Sequence, residues 1–174
     1  MSKVGKWYIQ LPCKYAVGNF QMSGSQVLLY YYPPSFYSTK ARWYLEEKRI
    51  AYVSCIIDIG KNAHVQPEYM QLNPKGKVPM ARFLSGDGSE KIIADSEEIM
   101  FYLEQFSDNS KPTLLPQKMK EQVMDFHERL HAVPAEIITS GAVLYPELTV
   151  DCKIPESIRK RFRKFCKLNV LLLG

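Results

Sequence analysis

Three polar turns at the ends of predicted elements most constrain how this chain can fold. A Pro-Pro-Ser turn ending at Ser35 follows an apolar strand, residues 73–79 read Asn-Pro-Lys-Gly-Lys-Val-Pro before another strand, and Asp95-Ser96 opens a helix. Backbone N–H and C=O groups at such element ends are free to meet a small ligand. Because the turns occur in this order with these spacings, we interpret them together as one ligand-binding cleft.

The apolar pattern between the turns predicts the order strand-helix-strand-helix-strand-strand-helix. Two glycines in the turn before the last strand suit a hairpin, so the last two strands are expected to be antiparallel. A parallel βαβ unit followed by a ββα unit is the order of the α/β thioredoxin-like fold. Strands are predicted at residues 27–32, 51–59, 77–84 and 91–94, and helices at 37–49, 67–72 and 95–106.

Further segments are predicted before and after this α/β domain in the sequence. The sequence Glu46-Glu47-Lys48-Arg49 is expected to form the solvent-exposed end of the first helix. The last quarter of the chain predicts helices at about residues 117–130 and 154–168, with a loop at 141–151. The expected division is an irregular leader with at most one extra strand (1–26), a thioredoxin-like domain (27–106), a linker (107–116) and a partial helical domain (117–174).

Composition excludes several classes of protein. With 46% hydrophobic and 24% charged residues, the chain is typical of a soluble globular protein rather than a disordered or fibrous one. It has no secretory signal pattern and no apolar run near the roughly 20 residues that a membrane-spanning helix needs. Its four cysteines and three histidines show no paired spacing, so neither a disulfide framework nor a zinc site is indicated and a reducing compartment is expected. Cys55 is interpreted as inert core, and His127 and His131 as exposed residues of a helix rather than metal ligands.

The net charge of +5 comes from one segment. Residues 153–167 hold seven Lys or Arg and one Glu, so the rest of the chain is close to neutral. Such a run most often forms a solvated helix face, and the alternatives are an anionic lipid surface or an acidic partner. No aromatic stacking set accompanies it, so no nucleic-acid binding is expected.

Residues 27 to about 170 resemble the cytosolic glutathione transferases. The resemblance rests on the combination of Ser35-x-x-Ser38-x-Lys40-x-Arg42, Asn-Pro-x-Gly-x-Val-Pro at 73–79, and acidic-Ser-x-x-Ile-x-x-Tyr-Leu at 95–103. Residues 141–155, which include Tyr-Pro-Glu-Leu-Thr, resemble the divergent branch of ganglioside-induced differentiation-associated protein 1. The fold implied is a thioredoxin-like domain followed by a partial all-helical transferase domain.

The resemblance implies glutathione as co-substrate and a small electrophile as the second substrate. A thiol has a pKa near 8.5, so its reactive thiolate must be stabilised by hydrogen-bond donors and by a helix N-terminus. By resemblance to the serine-using classes, the Ser35 hydroxyl would donate to the glutathione sulfur without becoming covalently attached. Tyr37 is the alternative donor, and a purely capping role for Ser35 also stays open.

Other residues of the implied site would hold the glutathione backbone. In this fold the proline corresponding to Pro79 is cis, and the N–H and C=O of Val78, in the turn Lys77-Val78-Pro79, pair with the peptide like an added strand. Asp95 and Ser96 would receive the γ-glutamyl carboxylate at a helix N-terminus, or would only cap that helix. His64 lies in the loop where some classes hold the glycine carboxylate, and its alternative is an ordinary surface-loop residue.

A non-enzymatic role is the rival hypothesis. Relatives in the ganglioside-induced differentiation-associated branch are tied to the mitochondrial outer membrane, and the short helical domain here could act through partners instead of a closed pocket. The transferase hypothesis places the chain in the cytoplasm, and the rival places it at mitochondrial membranes, with the basic segment 153–167 facing anionic lipid. Homodimerisation is left open by the sequence.

Overall fold

The computed structural model describes residues 15–17, 26–105, 113–135, 141, 145, 155–160 and 163. The chain divides into two compact units, residues 1–114 and 115–174. The elements of the first unit are β1 (Tyr15–Val17), β2 (Gln26–Tyr31), α1 (Phe36–Glu47), β3 (Tyr52–Ile56), α2 (Pro67–Met70), β4 (Met80–Leu84), β5 (Glu90–Ile93) and α3 (Ser96–Glu104), with 3₁₀ turns at Ile59–Lys61 and Ala63–Val65.

One mixed sheet organises the first unit. Its strand order is β1-β3-β2-β4-β5. Strands β2 and β3 are parallel, whereas β4 is antiparallel to both β2 and β5. This is the predicted βαβ unit followed by a ββα unit, and it confirms the thioredoxin-like fold. The extra strand expected in the leader is β1, which runs antiparallel to β3 at one edge.

Apolar side chains cover both faces of the sheet. On one face, α1 and α3 contribute buried residues such as Leu45 and Leu103, which pack against strand residues such as Leu29. On the other face, Tyr69 of α2 packs among Tyr30, Cys55, Ile57 and Met80. Side chains alternate between the faces of a strand, so β2 supplies both clusters from neighbouring residues.

The second unit is helical where it is described. It contains a 3₁₀ turn at Gln117–Met119 and α4 (Lys120–His131), in agreement with the helix predicted at 117–130. Residues 156–160 and 163 are also helical, inside the second predicted helix. The loop predicted from residue 141 is wrong at its start, because Gly141 is helical and its carbonyl accepts the Tyr145 N–H at 2.8 Å. Among the described helices, none has the length and apolar character required to cross a bilayer.

Cys55 departs from the expectation for the cysteines. It is buried in the second cluster, as expected for a core residue, but it takes part in a disulfide bond. Disulfide formation depends on the separation of two cysteines in the folded chain, which sequence spacing does not reveal. The other three cysteines lie outside the described residues.

Lys48 contradicts the expected solvent-exposed end of α1. Its side chain is fully buried, and its ammonium lies 3.0 Å from the carboxylate of Glu104 on α3. That carboxylate also accepts hydrogen bonds from the Tyr44 hydroxyl, from the Thr113 hydroxyl at 2.8 Å and from the Leu114 N–H at 3.2 Å. Glu104 therefore joins the ends of both helices to the chain that leaves the domain.

The hydrogen bonds to Glu104 make the free energy of unfolding depend on pH in the acid range. Burial opposes ionisation of this carboxyl, but bonds from Tyr44, Thr113, Lys48 and Leu114 outweigh it and lower its pKa from 4.5 to about 2. A depressed carboxyl pKa adds stability that is fully present above pH 4.5 and is lost as the pH falls towards 2. We expect this group to contribute about 2–3 kcal/mol to the pH dependence.

Urea unfolding at pH 7, 4 and 2.5 measures this contribution. The variant Glu104→Gln should lose stability at pH 7 and show a flatter acid dependence than the parent chain. The exposed residue Glu47 offers a matched control, Glu47→Gln, which should keep the parent's acid profile. An unchanged acid profile in Glu104→Gln would contradict the assignment.

Candidate functional site

The strand register brings the three predicted turns to one end of the sheet. Tyr30, near the end of β2, is paired with Met80 at the start of β4, and Ala81 is paired with Ile93 at the end of β5. The turn after β2, the turn before β4 and the start of α3 therefore lie at the same end of the sheet. The three turns are thus neighbours in the fold, and the ligand-binding cleft inferred from them stays a prediction.

Ser35 is the N-cap of α1. Its hydroxyl oxygen accepts the Ser38 N–H at 3.3 Å, and its own N–H donates to the Tyr32 carbonyl at 2.9 Å. Ser38 is fully buried, and its hydroxyl oxygen accepts the Tyr32 N–H at 3.2 Å. A hydroxyl carries one donor and two acceptor positions, so capping leaves the Ser35 O–H able to donate to a ligand. Capping and thiolate stabilisation are thus compatible roles for this residue.

Tyr37, the alternative donor, lies in the first turn of α1. Its ring is half-buried and packs edge-on against Phe36, with 5.5 Å between the ring centroids. Both Tyr37 and Ser35 therefore stay at the N-terminal end of the helix, where the positive end of its dipole favours an anion. The choice between them remains a prediction.

Asp95 and Ser96 have different roles at the N-terminus of α3. The exposed Asp95 is the N-cap, and its carboxylate accepts the N–H groups of Glu97 at 2.8 Å and Glu98 at 3.1 Å. Ser96 is 4% exposed. Among the described residues, neither its N–H nor its hydroxyl takes part in a hydrogen bond. A ligand carboxylate at this helix start would therefore meet Ser96, because Asp95 already occupies the next two N–H groups.

The turn before β4 presents backbone groups of Val78. The Val78–Pro79 peptide bond is cis. The carbonyl of Lys77 accepts two bonds, from the Tyr69 hydroxyl at 2.6 Å and from Asn73 Nδ2 at 2.7 Å. Within the part of the chain that the structure describes, the N–H and C=O of Val78 form no hydrogen bond. These two groups have the polarity needed to pair with an extended peptide.

An ion pair joins the two helix starts of the site. The ammonium of Lys40 on α1 lies 3.0 Å from the carboxylate of Glu97, the residue after Ser96. Both side chains are about three-quarters or more buried. The pair offsets one of three acidic charges, those of Asp95, Glu97 and Glu98, at the start of α3. Lys40 is part of the motif Ser35-x-x-Ser38-x-Lys40-x-Arg42, but no local signal indicates its pairing with Glu97, 57 residues later.

His64 is not an ordinary surface-loop residue. It lies in the 3₁₀ turn Ala63–Val65 and is only 7% exposed. Burial lowers the pKa of its imidazole, so at neutral pH the ring is uncharged and suits hydrogen bonding better than ion pairing with a carboxylate. Its role as a ligand-holding residue stays a prediction.

Gly76 fits the turn before β4 for two reasons. Its φ is +57°, which favours glycine, and a Cβ there would come within 3.2 Å of the His64 carbonyl oxygen and of Met70 Sδ. We expect Gly76→Ala to cost about 1–3 kcal/mol in the free energy of unfolding, measured by urea titration. Gly88→Ala is the matched control, since Gly88 has φ +83° and nothing within 4 Å of its Cβ position. Equal losses in both variants would show that the contact with His64 adds nothing.

The residues that the structure describes hold no group of three or more histidine, cysteine or acidic side chains arranged to bind a metal ion. The His127 and His131 rings of α4 stack with their centroids 6.4 Å apart. His131 is exposed and His127 is half-buried, so the prediction of two exposed residues is wrong for His127.

Comparisons with known proteins agree with this fold. The family model of the glutathione S-transferase N-terminal domain matches residues 29–111. The chain is 30% identical over 142 residues to human ganglioside-induced differentiation-associated protein 1-like 1, and 38% identical over 143 residues to glutathione S-transferase TCHQD of Arabidopsis thaliana. These matches cover 79% and 82% of this chain but 37% and 47% of the two relatives. The chain thus spans less than half the length of either protein.

A solved structure shares the fold. The glutathione transferase URE2P6 from Phanerochaete chrysosporium, in complex with oxidized glutathione, superposes with a TM-score of 0.57 at 22% sequence identity. The superposition covers 86% of this chain and 67% of that one. The chain belongs to the glutathione S-transferase superfamily, with relatives in the branch of ganglioside-induced differentiation-associated protein 1.

Proposed function

We propose that this protein binds reduced glutathione at the end of the sheet where Ser35, Val78 and Ser96 lie, and activates its thiol for transfer to an electrophile. The observation that carries the proposal is the set of groups that these residues leave available: a hydroxyl donor at one helix start, a backbone N–H and C=O pair, and a serine at a second helix start. These groups complement a thiol, an extended peptide and a carboxylate, respectively.

The chemistry follows from the position of Ser35. Its O–H donates a hydrogen bond to the glutathione sulfur, and the N-terminal end of α1 favours the negative charge there. Both effects lower the pKa of the thiol, which releases its proton to solvent. The thiolate then forms a carbon–sulfur bond with the electrophile, and the leaving group departs with the carbon's former bonding pair. Ser35 itself forms no covalent bond in this sequence.

Binding of glutathione is tested by calorimetric titration of the purified chain. We expect saturable binding that Ser96→Ala weakens about 10- to 100-fold, because a hydrogen bond to a charged carboxylate is lost. Ser85→Ala is the matched control, since Ser85 is an exposed serine of the β4–β5 hairpin. The proposal fails if millimolar glutathione produces no binding heat, or if the two serine variants behave alike.

A second candidate function is that of a non-enzymatic scaffold at the mitochondrial outer membrane. Its support is the similarity to ganglioside-induced differentiation-associated protein 1-like 1 and the basic segment 153–167. In the described part of that segment Arg159 is buried and Arg163 pairs with Glu156 at 3.0 Å, whereas Lys160 is exposed and Ile158 is 50% exposed. Sedimentation with anionic vesicles tests this role, and Lys160→Glu should reduce binding while neutral vesicles should bind neither form.

A further inference from the structure

One buried asparagine, Asn73, holds the turn before β4 through all of its hydrogen-bonding groups. Asn73 is 1% exposed, and its Nδ2 donates to the Lys77 carbonyl while its Oδ1 accepts the Lys75 N–H at 3.2 Å. Its backbone N–H donates to the Tyr69 carbonyl, and its own carbonyl accepts the Gly76 N–H, both at 2.9 Å. The turn is thereby held at four points by a single residue.

Tyr69 adds the second donor to the Lys77 carbonyl. Its ring is fully buried, and its hydroxyl reaches the carbonyl oxygen at 2.6 Å. A carbonyl oxygen offers two acceptor positions, and the hydroxyl and the Asn73 amide fill both. The carbonyl of Lys77 therefore has no acceptor position left for a hydrogen bond from a ligand.

The two hydrogen bonds to the Lys77 carbonyl also determine the direction of the Val78 N–H. The Lys77 carbonyl and the Val78 N–H belong to one planar trans peptide, in which they point in opposite directions. Two donors that hold the carbonyl on the buried side therefore point the N–H away from the Tyr69 cluster. Hydrogen bonds to a carbonyl also polarise its peptide and strengthen the N–H as a donor, by about 10–30% per bond.

The geometry points to Tyr69 and Asn73 as positioning residues that aim and polarise the Val78 N–H for a ligand that carries a peptide carbonyl. This inference deepens the proposed function and rests on it for the identity of the ligand. It also predicts that the ligand must carry a peptide carbonyl. A free amino acid thiol lacks that carbonyl and so could not accept the hydrogen bond from the Val78 N–H. Neither residue touches the reacting sulfur in this scheme.

Tyr69→Phe tests the inference, with Tyr30→Phe as its matched control. Tyr30 lies in the same cluster, with its ring 6.2 Å from that of Tyr69, and its buried hydroxyl accepts from Arg82 at 3.2 Å. Both variants lose one buried hydroxyl, but only Tyr69→Phe releases the Lys77 carbonyl. We expect Tyr69→Phe to weaken glutathione binding about fivefold and Tyr30→Phe to leave it within about twofold.

A second measurement, on the chain without ligand, separates this inference from the proposed function. The Val78 amide resonance in a ¹⁵N-correlated NMR spectrum should shift in Tyr69→Phe and stay in place in Tyr30→Phe. An unmoved Val78 resonance in Tyr69→Phe would overturn the inference whether or not glutathione binds. A shifted resonance in a chain that binds no glutathione would support the positioning role and remove glutathione as the ligand.

Discussion

Replacing Glu104 by alanine is expected to destabilise the first unit by about 3–5 kcal/mol, the cost of removing one partner of a buried ion pair. The Lys48 ammonium is fully buried 3.0 Å from that carboxylate. The same substitution removes the acceptor of the Tyr44 and Thr113 hydroxyls. Since domains of this size have only about 5–15 kcal/mol of stability, the urea midpoint should fall by a large fraction.

A double variant tests whether charge is the cause. Lys48→Met combined with Glu104→Leu removes both charges and keeps similar volume, so it should be more stable than Glu104→Ala alone. Urea unfolding of the parent, Lys48→Met, Glu104→Leu and the double variant completes the cycle. Additive losses would mean that the two side chains do not interact, contrary to the 3.0 Å contact.

Replacing Ser35 by alanine is expected to lower kcat/KM for conjugation about 100-fold, the effect of removing one donor from a developing or resident anion. The variant loses the hydroxyl that would donate to the sulfur at the start of α1. The pH at which the rate rises should move upward, because the bound thiol would ionise less readily. Thiolate absorbance of bound glutathione, followed across pH, measures this shift directly.

Ser35→Gly separates catalysis from capping. Glycine replaces serine at an N-cap at a cost of a few tenths of a kcal/mol, whereas alanine costs about 1 kcal/mol. If the hydroxyl stabilises the thiolate, Ser35→Ala and Ser35→Gly should lose activity equally although their stabilities differ. Activity that follows stability would assign Ser35 to capping alone, and a loss confined to Tyr37→Phe would make Tyr37 the donor.

Local sequence signals were sufficient for most of the first unit. Pro33 and Pro34 stop a strand because proline cannot extend the ladder, and Ser35 and Asp95 cap helices because their oxygens accept N–H groups of the first turn. Those signals act over a few residues, so they predicted the order of elements and the three turns of the site. The element order in turn predicted the fold.

Pairings between distant residues could not be read in the same way. The motif Glu46-Glu47-Lys48-Arg49 indicated a solvated helix end, yet Lys48 is buried because Glu104, 56 residues later, supplies its counter-charge. The disulfide of Cys55 and the buried position of His64 likewise depend on packing between elements.

The sequence by itself determined which backbone groups end up at element ends, since proline, serine, aspartate and glycine act on their own neighbours. Only the tertiary structure decided which distant groups meet. Pairing of Tyr30 with Met80 and of Ala81 with Ile93 brings the three turns together, and the Lys48 ammonium lies 3.0 Å from Glu104, 56 residues later. The physical reason is that a hydrogen bond needs its partners within about 3 Å, and folding alone brings distant residues that close.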